Sequence, residues 1–421
     1  MMIPNGLLRR AVCVALMMAL LALTGVTVLA ADAKVYHDKF SAPSWQGPLE
    51  EMAEYALEEI GITWETIGYP TTDMHQTAVR TSLPSSRAPE MFTWWSDFRM
   101  EALYKTGGLV DVTAAWDARA DEYNPALRAA FEFEGRVYGV PSNLAYWSMW
   151  YNKAVFEEHG LELPKTWDEF VDICDYLLGE GITPLAHTVQ GRWPTFIWFQ
   201  EILTRLDPDA YEALMIGEIN YDDPTVREAF DIWQGLIEAG YFVDPGTDLF
   251  AEVPRMFANG QVAMILIGDW YTDGLDSVGL KAGVDYDTFI LPAINEEVGN
   301  VIIYEAAPIL FGKNAPNAEA ALELADWWLS PETQARWCEN LGFIPPNAKS
   351  DASFLMAPKK DLLNEINEAG YRLVNRYWEA TPTEICEAAV DEFARFILNP
   401  DQKDDVINTL VTIADRYWAA Q

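Results

Sequence analysis

Positive charge is what this chain has least of: 28 Lys and Arg stand against 65 Asp and Glu, a formal net charge of −37. So few cations cannot build a basic patch large enough to neutralise a phosphate backbone, which argues against nucleic acid as a partner. Cysteine is also scarce, with 4 in 421 residues. Cys13 falls in the N-terminal apolar run; Cys174, Cys338 and Cys386 lie beyond it, an odd number without CxxC spacing. That pattern supports neither a disulfide framework nor a redox motif, although a Cys338–Cys386 bridge stays open in an oxidising compartment. Cys174, beside Val171 and Leu178, reads as a buried free thiol. The four histidines, His37, His75, His159 and His187, are scattered without ligand spacing. No HExxH helix, GxSxG turn, GxxxxGK loop or calcium loop occurs, so no metal, cofactor or nucleotide site is expected.

Long apolar runs are confined to one place. Arg9 and Arg10 precede the run Ala11 to Leu23, and small residues lead through Gly25 to Ala30 and Ala31, the layout of a secretory signal peptide over residues 1–30. A retained membrane anchor is the alternative, since the run approaches spanning length. Cleavage near Ala30 predicts a periplasmic protein, and Cys13 lies too early in the run to carry a lipid. About 391 residues would remain, a length that suits two domains. Hydrophobic residues make up 50% of the chain, so the acidity signals a solvated surface rather than disorder.

Strand and helix patterns alternate along that length. Lys34 to His37 reads as a strand, Pro48 to Ile60 as a helix with Leu49, Met52, Ala56 and Ile60 on one face and Gly61 as its stop, and Ile62 to Ile67 as the next strand. A helix over Met74 to Leu83 and an apolar strand Met91 to Trp95 complete a βαβαβ run, which implies a parallel sheet with a crevice at its C-terminal edge. A second such region opens with the strand Tyr146 to Tyr151. Thr166 and Glu169 then form a capping-box pair, and Asp223 with Pro224 opens a helix that carries Val226, Phe230, Trp233 and Ile237 at helical period. Further helices are expected over Ala318 to Leu329, Pro331 to Asn340, Thr383 to Leu398 and Asp404 to Trp418. No flexible linker separates the two regions, so a ligand site between domains joined by short crossovers is expected.

Phe257-Ala258-Asn259-Gly260-Gln261-Val262-Ala263-Met264-Ile265-Leu266-Ile267-Gly268-Asp269-Trp270 is a polar turn feeding an apolar strand that ends in a small residue, a carboxylate and an indole. Such an end suits a polar ligand with one apolar face. Together with Tyr151-Asn152-Lys153 and Leu163-Pro164-Lys165-Thr166-Trp167-Asp168-Glu169-Phe170, it resembles the signature segments of the extracellular solute-binding proteins of sugar-importing ABC transporters, the maltose-binding type included. Ser85 to Trp95, Ala315 to Leu329, Ser330-Pro331-Glu332 and Leu341-Gly342-Phe343-Ile344-Pro345 extend the likeness over nearly the whole chain beyond the leader. One departure is Asp269, where the family commonly places proline after the glycine.

The resemblance implies an α/β, periplasmic binding protein-like fold with two discontinuous lobes around a ligand cleft: residues 31–144 with 303–347, and residues 145–302 with 348–421. It implies a neutral mono- or oligosaccharide ligand and, as partner, the membrane permease of an ABC importer. The lobes would close around the ligand by bending at the crossovers, with the protein acting as a monomer. Trp94 and Asp97 match a sugar-contacting pair of the maltose-binding type, with Trp95 as the rival platform; Trp193 and Trp270 match aromatic contact positions, as does Trp378, with Tyr377 as its rival. Asn143 and Tyr146 near the first crossover, Lys39 and His75 near the first strand and its following helix, and Glu305 after the second crossover are further polar candidates. A secreted glycoside hydrolase and a non-catalytic interaction protein are the other readings. The hydrolase would need two positioned carboxyl groups, and with 65 acidic residues such pairs carry no information.

Overall fold

In the computed structural model, which describes residues 32–421, eleven strands and flanking helices form a layered α/β structure. The expected signal peptide lies outside the described residues. The strands are β1 (Ala33–His37), β2 (Trp64–Gly68), β3 (Met91–Thr93), β4 (Glu132–Phe133), β5 (Arg136–Val137), β6 (Gly139–Asn152), β7 (Thr183–Ala186), β8 (Val262–Gly268), β9 (Tyr286–Phe289), β10 (Val301–Phe311) and β11 (Arg372–Asn375). β1 pairs in parallel with both β2 and β3, the arrangement that the leading βαβαβ pattern predicts. The main sheet then runs β2-β1-β3-β10-β6-β8-β7, with β11 on β10 and β9 on β6. β4 and β5 form a separate hairpin.

β6 and β10 are the longest strands, and each passes through two cores. Val140, Leu144 and Tyr146 of β6 pack with Val35, Phe92 and Leu310, whereas Trp147, Met149 and Trp150 pack with Ile265, Phe199 and Phe393. On β10 the neighbours Ile302 and Ile303 belong to opposite cores, because successive strand residues face opposite sides of a sheet. The last passage lies between Leu373 and Val374 of β11, well beyond the expected Asn347-Ala348. Leu355, Leu362, Ile366 and Leu373 all pack in the first core. No local pattern signals this, since the helix Ala357–Ala369 is amphipathic and could lie against either lobe.

Local rules place most helices where their signals stand. Thr166 accepts the Glu169 backbone N–H, Asp223 accepts that of Thr225 with Pro224 in the first turn, and Gly61 closes the helix Pro43–Ile60 with φ +72°. The three cysteines among the described residues are buried free thiols, with Cys338 in the first core and Cys386 in the second, so the bridge left open between them is not formed. No described helix is long and apolar enough to cross a membrane, and the described residues hold no His, Cys, Asp or Glu group suited to a metal ion.

Candidate functional site

The cleft between the cores contains two adjoining cavities of about 410 and 670 Å³, which share Lys39, Trp95, Trp270 and Arg376 in their walls. The smaller is lined from the first lobe by His37, Asp38, Lys39, Trp45, Thr93, Asn143 and Phe343 and from the second by Trp270, Asp273, Arg376 and Glu379. The larger adds Trp193, Phe196 and Trp378 opposite Gln76, Arg80 and Arg99. Strand ends supply much of the first wall, as expected for a crevice at the C-terminal edge of parallel strands.

On that wall Asp38 is held from three sides. Its backbone N–H donates to Thr93 Oγ1 at 3.1 Å, the Thr93 hydroxyl donates to its Oδ1 at 2.9 Å, and the Lys39 ammonium lies 3.0 Å from Oδ2. Burial alone would raise its pKa, but Lys39, His37 and these hydrogen bonds together hold the carboxyl below its ordinary value. His37, whose Nδ1 accepts the Lys39 backbone N–H at 3.1 Å, is pushed down to about 4 by burial and is neutral at pH 7. The expected ligand residue Lys39 thus lines both cavities with its charge already paired.

Aromatic rings dominate the second wall. Trp270 lies half-buried at the junction of the cavities, edge-on to Trp193 at 6.0 Å and Trp147 at 6.2 Å and stacked on Phe250 at 6.3 Å. Gly268 makes room for it: a Cβ there would stand 2.4 Å from the indole nitrogen. Trp378 also faces the larger cavity, with the Arg99 guanidinium 3.8 Å from its ring centroid, whereas its rival Tyr377 is sealed in the second core. Arg376 pairs with Glu305 and, through Nε at 2.8 Å, with Glu379. All three are at most 14% exposed, so the cations that face the smaller cavity are matched by carboxylates.

Of the candidate residues, Lys39, Trp94, Asn143, Trp193, Trp270, Trp378 and Glu305 line the cleft. Trp94 does so with its edge, for it is 4% exposed and its indole N–H is committed to the Arg99 carbonyl at 2.9 Å. β3 ends at Thr93, and the turn that follows leaves Trp95 as the half-buried ring shared by both cavities. Three candidates are placed elsewhere. His75 is fully buried behind Trp94, its Nε2 bonded to the Thr93 carbonyl oxygen at 2.9 Å. Tyr146 faces a separate cavity beside Leu127 and Ile366, because its position on β6 points to the other side of the sheet.

Asp97 is the third. It lines neither cleft cavity; it precedes the helix Phe98–Tyr104 with φ +52°, a backbone region that favours glycine, and its Oδ2 accepts from Asn375 Nδ2 at 3.2 Å. Burial is the main cause that pushes its carboxyl up to about 7. Asp269 likewise turns inward, contrary to the expectation that it would meet the ligand. It is fully buried, and its Oδ2 accepts the Tyr146 backbone N–H at 3.1 Å. Wall residues missed include Trp45, Thr93, Arg99, Asp273, Phe343, Arg376 and Glu379. Arg376 and Glu379, three apart at the start of a short helix, carried an ion-pair spacing that could have been read.

Comparison with known proteins bears directly on this architecture. The family model described as bacterial extracellular solute-binding protein matches residues 42–335. The chain belongs to that family. An ABC transporter extracellular-binding protein of Pyrococcus horikoshii is 25% identical over 342 residues, covering 80% of this chain and 73% of its own length. A protein of Brucella suis named probable sugar-binding periplasmic protein is 25% identical over 382 residues, with 87% and 88% covered. Among solved structures, the bacterial solute receptor AcbH, described as exclusive for β-D-galactopyranose, matches with a TM-score of 0.80 at 20% identity over 91% of this chain and 98% of its own. A chitin oligosaccharide binding protein matches with a TM-score of 0.76 at 18% identity, again over 91% and 98%. These two structural matches establish the two-lobed binding-protein fold.

Proposed function

We propose that this solute-binding protein captures a neutral carbohydrate in the interlobe cleft and delivers it to the membrane permease of an ABC importer. The observation that carries the reading is the composition of the walls: Trp45, Trp95, Trp193, Trp270 and Trp378 face a space in which Lys39 is paired with Asp38 and Arg376 with Glu305 and Glu379, and in which carboxylates, Asp273 among them, outnumber cations. Pyranose rings present C–H faces that stack on indoles and hydroxyl rims that need donors and acceptors, and Asn143, Asp38 and Glu305 supply the latter. An anionic ligand would find each of these cations engaged. The sugar-binding description of the Brucella relative and the galactose and chitin-oligosaccharide ligands of the structural relatives support the same class.

The protein acts, on this reading, as an exported monomer whose lobes close by bending within β6, β10 and β11, where the chain passes between cores. A closed form would bury the sugar from both sides and present a distinct surface to the permease. Calorimetry against D-galactose, N,N′-diacetylchitobiose, raffinose and a control peptide, with chromatography of the recovered ligand, tests it. Saturable sugar binding without product is the expected result. Released product would favour the hydrolase, and affinity confined to the peptide would overturn the carbohydrate assignment.

A further inference from the structure

Behind the cleft, and outside its lining, lies a buried ammonium. Lys359 is 2% exposed on the helix Ala357–Ala369, whose Leu362 and Ile366 pack in the first core. Burying a lysine this far is costly unless its charge is met. Its Nζ donates to the Gly342 carbonyl at 2.9 Å and lies 4.0 Å from Asp269 Oδ1. That oxygen is buried with no hydrogen-bond donor, while the other carboxylate oxygen takes the Tyr146 backbone N–H. The two groups that Lys359 meets are the immediate neighbours of cleft residues on opposite lobes: Gly342 precedes Phe343, and Asp269 precedes Trp270.

We propose that Lys359 is a positioning residue for the ligand cleft, fixing the spacing between Phe343 and Trp270 through the Gly342 carbonyl and the Asp269 carboxylate. It rests on the cleft as the ligand site but not on which ligand occupies it. Electrostatics agree with the geometry: burial raises the Asp269 pKa and the Lys359 charge opposes that rise. Without the ammonium, Asp269 would keep only the Tyr146 N–H, and the turn that carries Trp270 would lose its link to the Gly342–Phe343 segment. Gly268 adds sensitivity, since the indole lies directly on its backbone and a small turn of residues 268–270 displaces the ring.

Fluorine NMR of protein labelled with 5-fluorotryptophan tests this without ligand, W270F identifying the Trp270 line. K359M should move that line while the line of Trp116, buried in the first core, stays in place. Since K359M strands a buried carboxylate and could unfold, K359M/D269N removes the Lys359–Asp269 pair at nearly constant volume, leaving Asp273, which the Lys359 charge also favours, at the cleft wall, and should show the same displacement. Binding of D-galactose, N,N′-diacetylchitobiose and raffinose should weaken about tenfold in both variants, because a binding group whose supporting contacts are lost is held too loosely, with K359R recovering part of the loss. An unmoved Trp270 line in folded K359M/D269N overturns the proposal. If none of the three sugars binds the unmodified protein, the carbohydrate reading has failed with these probes, and the Trp270 line still decides whether Lys359 positions the wall.

Discussion

The two walls of the cleft are made differently. On the first lobe the polar groups are anchored by strand backbone: Asp38 follows β1 directly and is locked to Thr93 at the end of β3. On the second lobe Trp193, Trp270 and Trp378 stand on a 3-10 turn after a loop, on the turn after β8 and on a four-residue helix, and they are steadied mainly by other rings. One wall offers fixed hydrogen-bonding geometry, which discriminates among hydroxyl patterns; the other offers apolar area, which supplies affinity with little regard to stereochemistry. The difference is one of degree, since Trp45, Trp95 and Phe343 also line the first wall and Arg376 and Glu379 the second, and it predicts that ring removal on the second wall acts more on affinity than on selectivity.

The strongest way to break the comparison is to unbalance the charge set that both walls share. Arg376→Met strands Glu305 and Glu379, which are 14% and 4% exposed, and should cost about 3–5 kcal/mol of folding stability, as removal of one partner from a buried ion pair does. Denaturant melts check this, and R376M/E305Q/E379Q should recover most of the loss. Trp270→Ala should leave folding intact but remove about 2 kcal/mol of sugar affinity, the lower bound for an aromatic hot spot and close to thirtyfold in Kd. Calorimetry with the tightest sugar of the panel reads it, alongside circular dichroism. An unfolded W270A would instead place Trp270 among the core residues.

A smaller change sharpens the same point. Gly268→Ala puts a methyl group 2.4 Å from the Trp270 indole nitrogen, so the ring must shift. Affinity should fall by roughly 1 kcal/mol, in the range of a modest packing strain, and the loss should vanish in a W270A background. Equal losses in both backgrounds would show that the glycine acts on folding rather than on the ring. The smallest effect on sugar affinity is expected at Asp97, which the cleft does not contain. Its folded carboxyl, pushed up to about 7 from 3.8, keeps a proton that the unfolded chain releases. The stability that Asp97 contributes should therefore decline as pH rises from about 4 to about 7 and then level off, because this group binds fewer protons in the unfolded state across that window. Asp97→Asn should flatten this decline without altering sugar affinity, and parallel melting curves for the two proteins across pH 4 to 8 would refute the assignment.

How much of this was legible beforehand depends on the range of the interaction concerned. Thr166 capping Glu169, Asp223 with Pro224, and the parallel β1, β2 and β3 follow from neighbours within a few residues or from hydrophobic period, and they stand where the pattern put them. The family segments led to Trp193, Trp270 and Trp378, which do face the cleft. The direction of a single side chain was harder to read. Trp94 and Trp95 exchange roles because β3 ends at Thr93, and Asp97 and Tyr146 look adjacent to the cleft in sequence yet point away from it. His75 sits on the face of its helix that packs behind Trp94, where a polar residue carries no periodic signal.

The sequence by itself determined the class: an acidic two-core α/β chain, built from local periodicities and caps, with aromatic residues at the ends of its second-lobe elements. These features are local, since each depends on backbone geometry and on residues a turn or a strand away. Tertiary structure alone decided which carboxylates meet the ligand space and which are spent inside. Asp38 faces the cleft because β1 and β3 pair, Asp269 turns inward because the Tyr146 N–H reaches it from 123 positions away, and residues 348–373 join the first core because Leu362 and Ile366 find their contacts there. A carboxylate's partner is set by which chain segments converge on it, and neither composition nor period records that convergence.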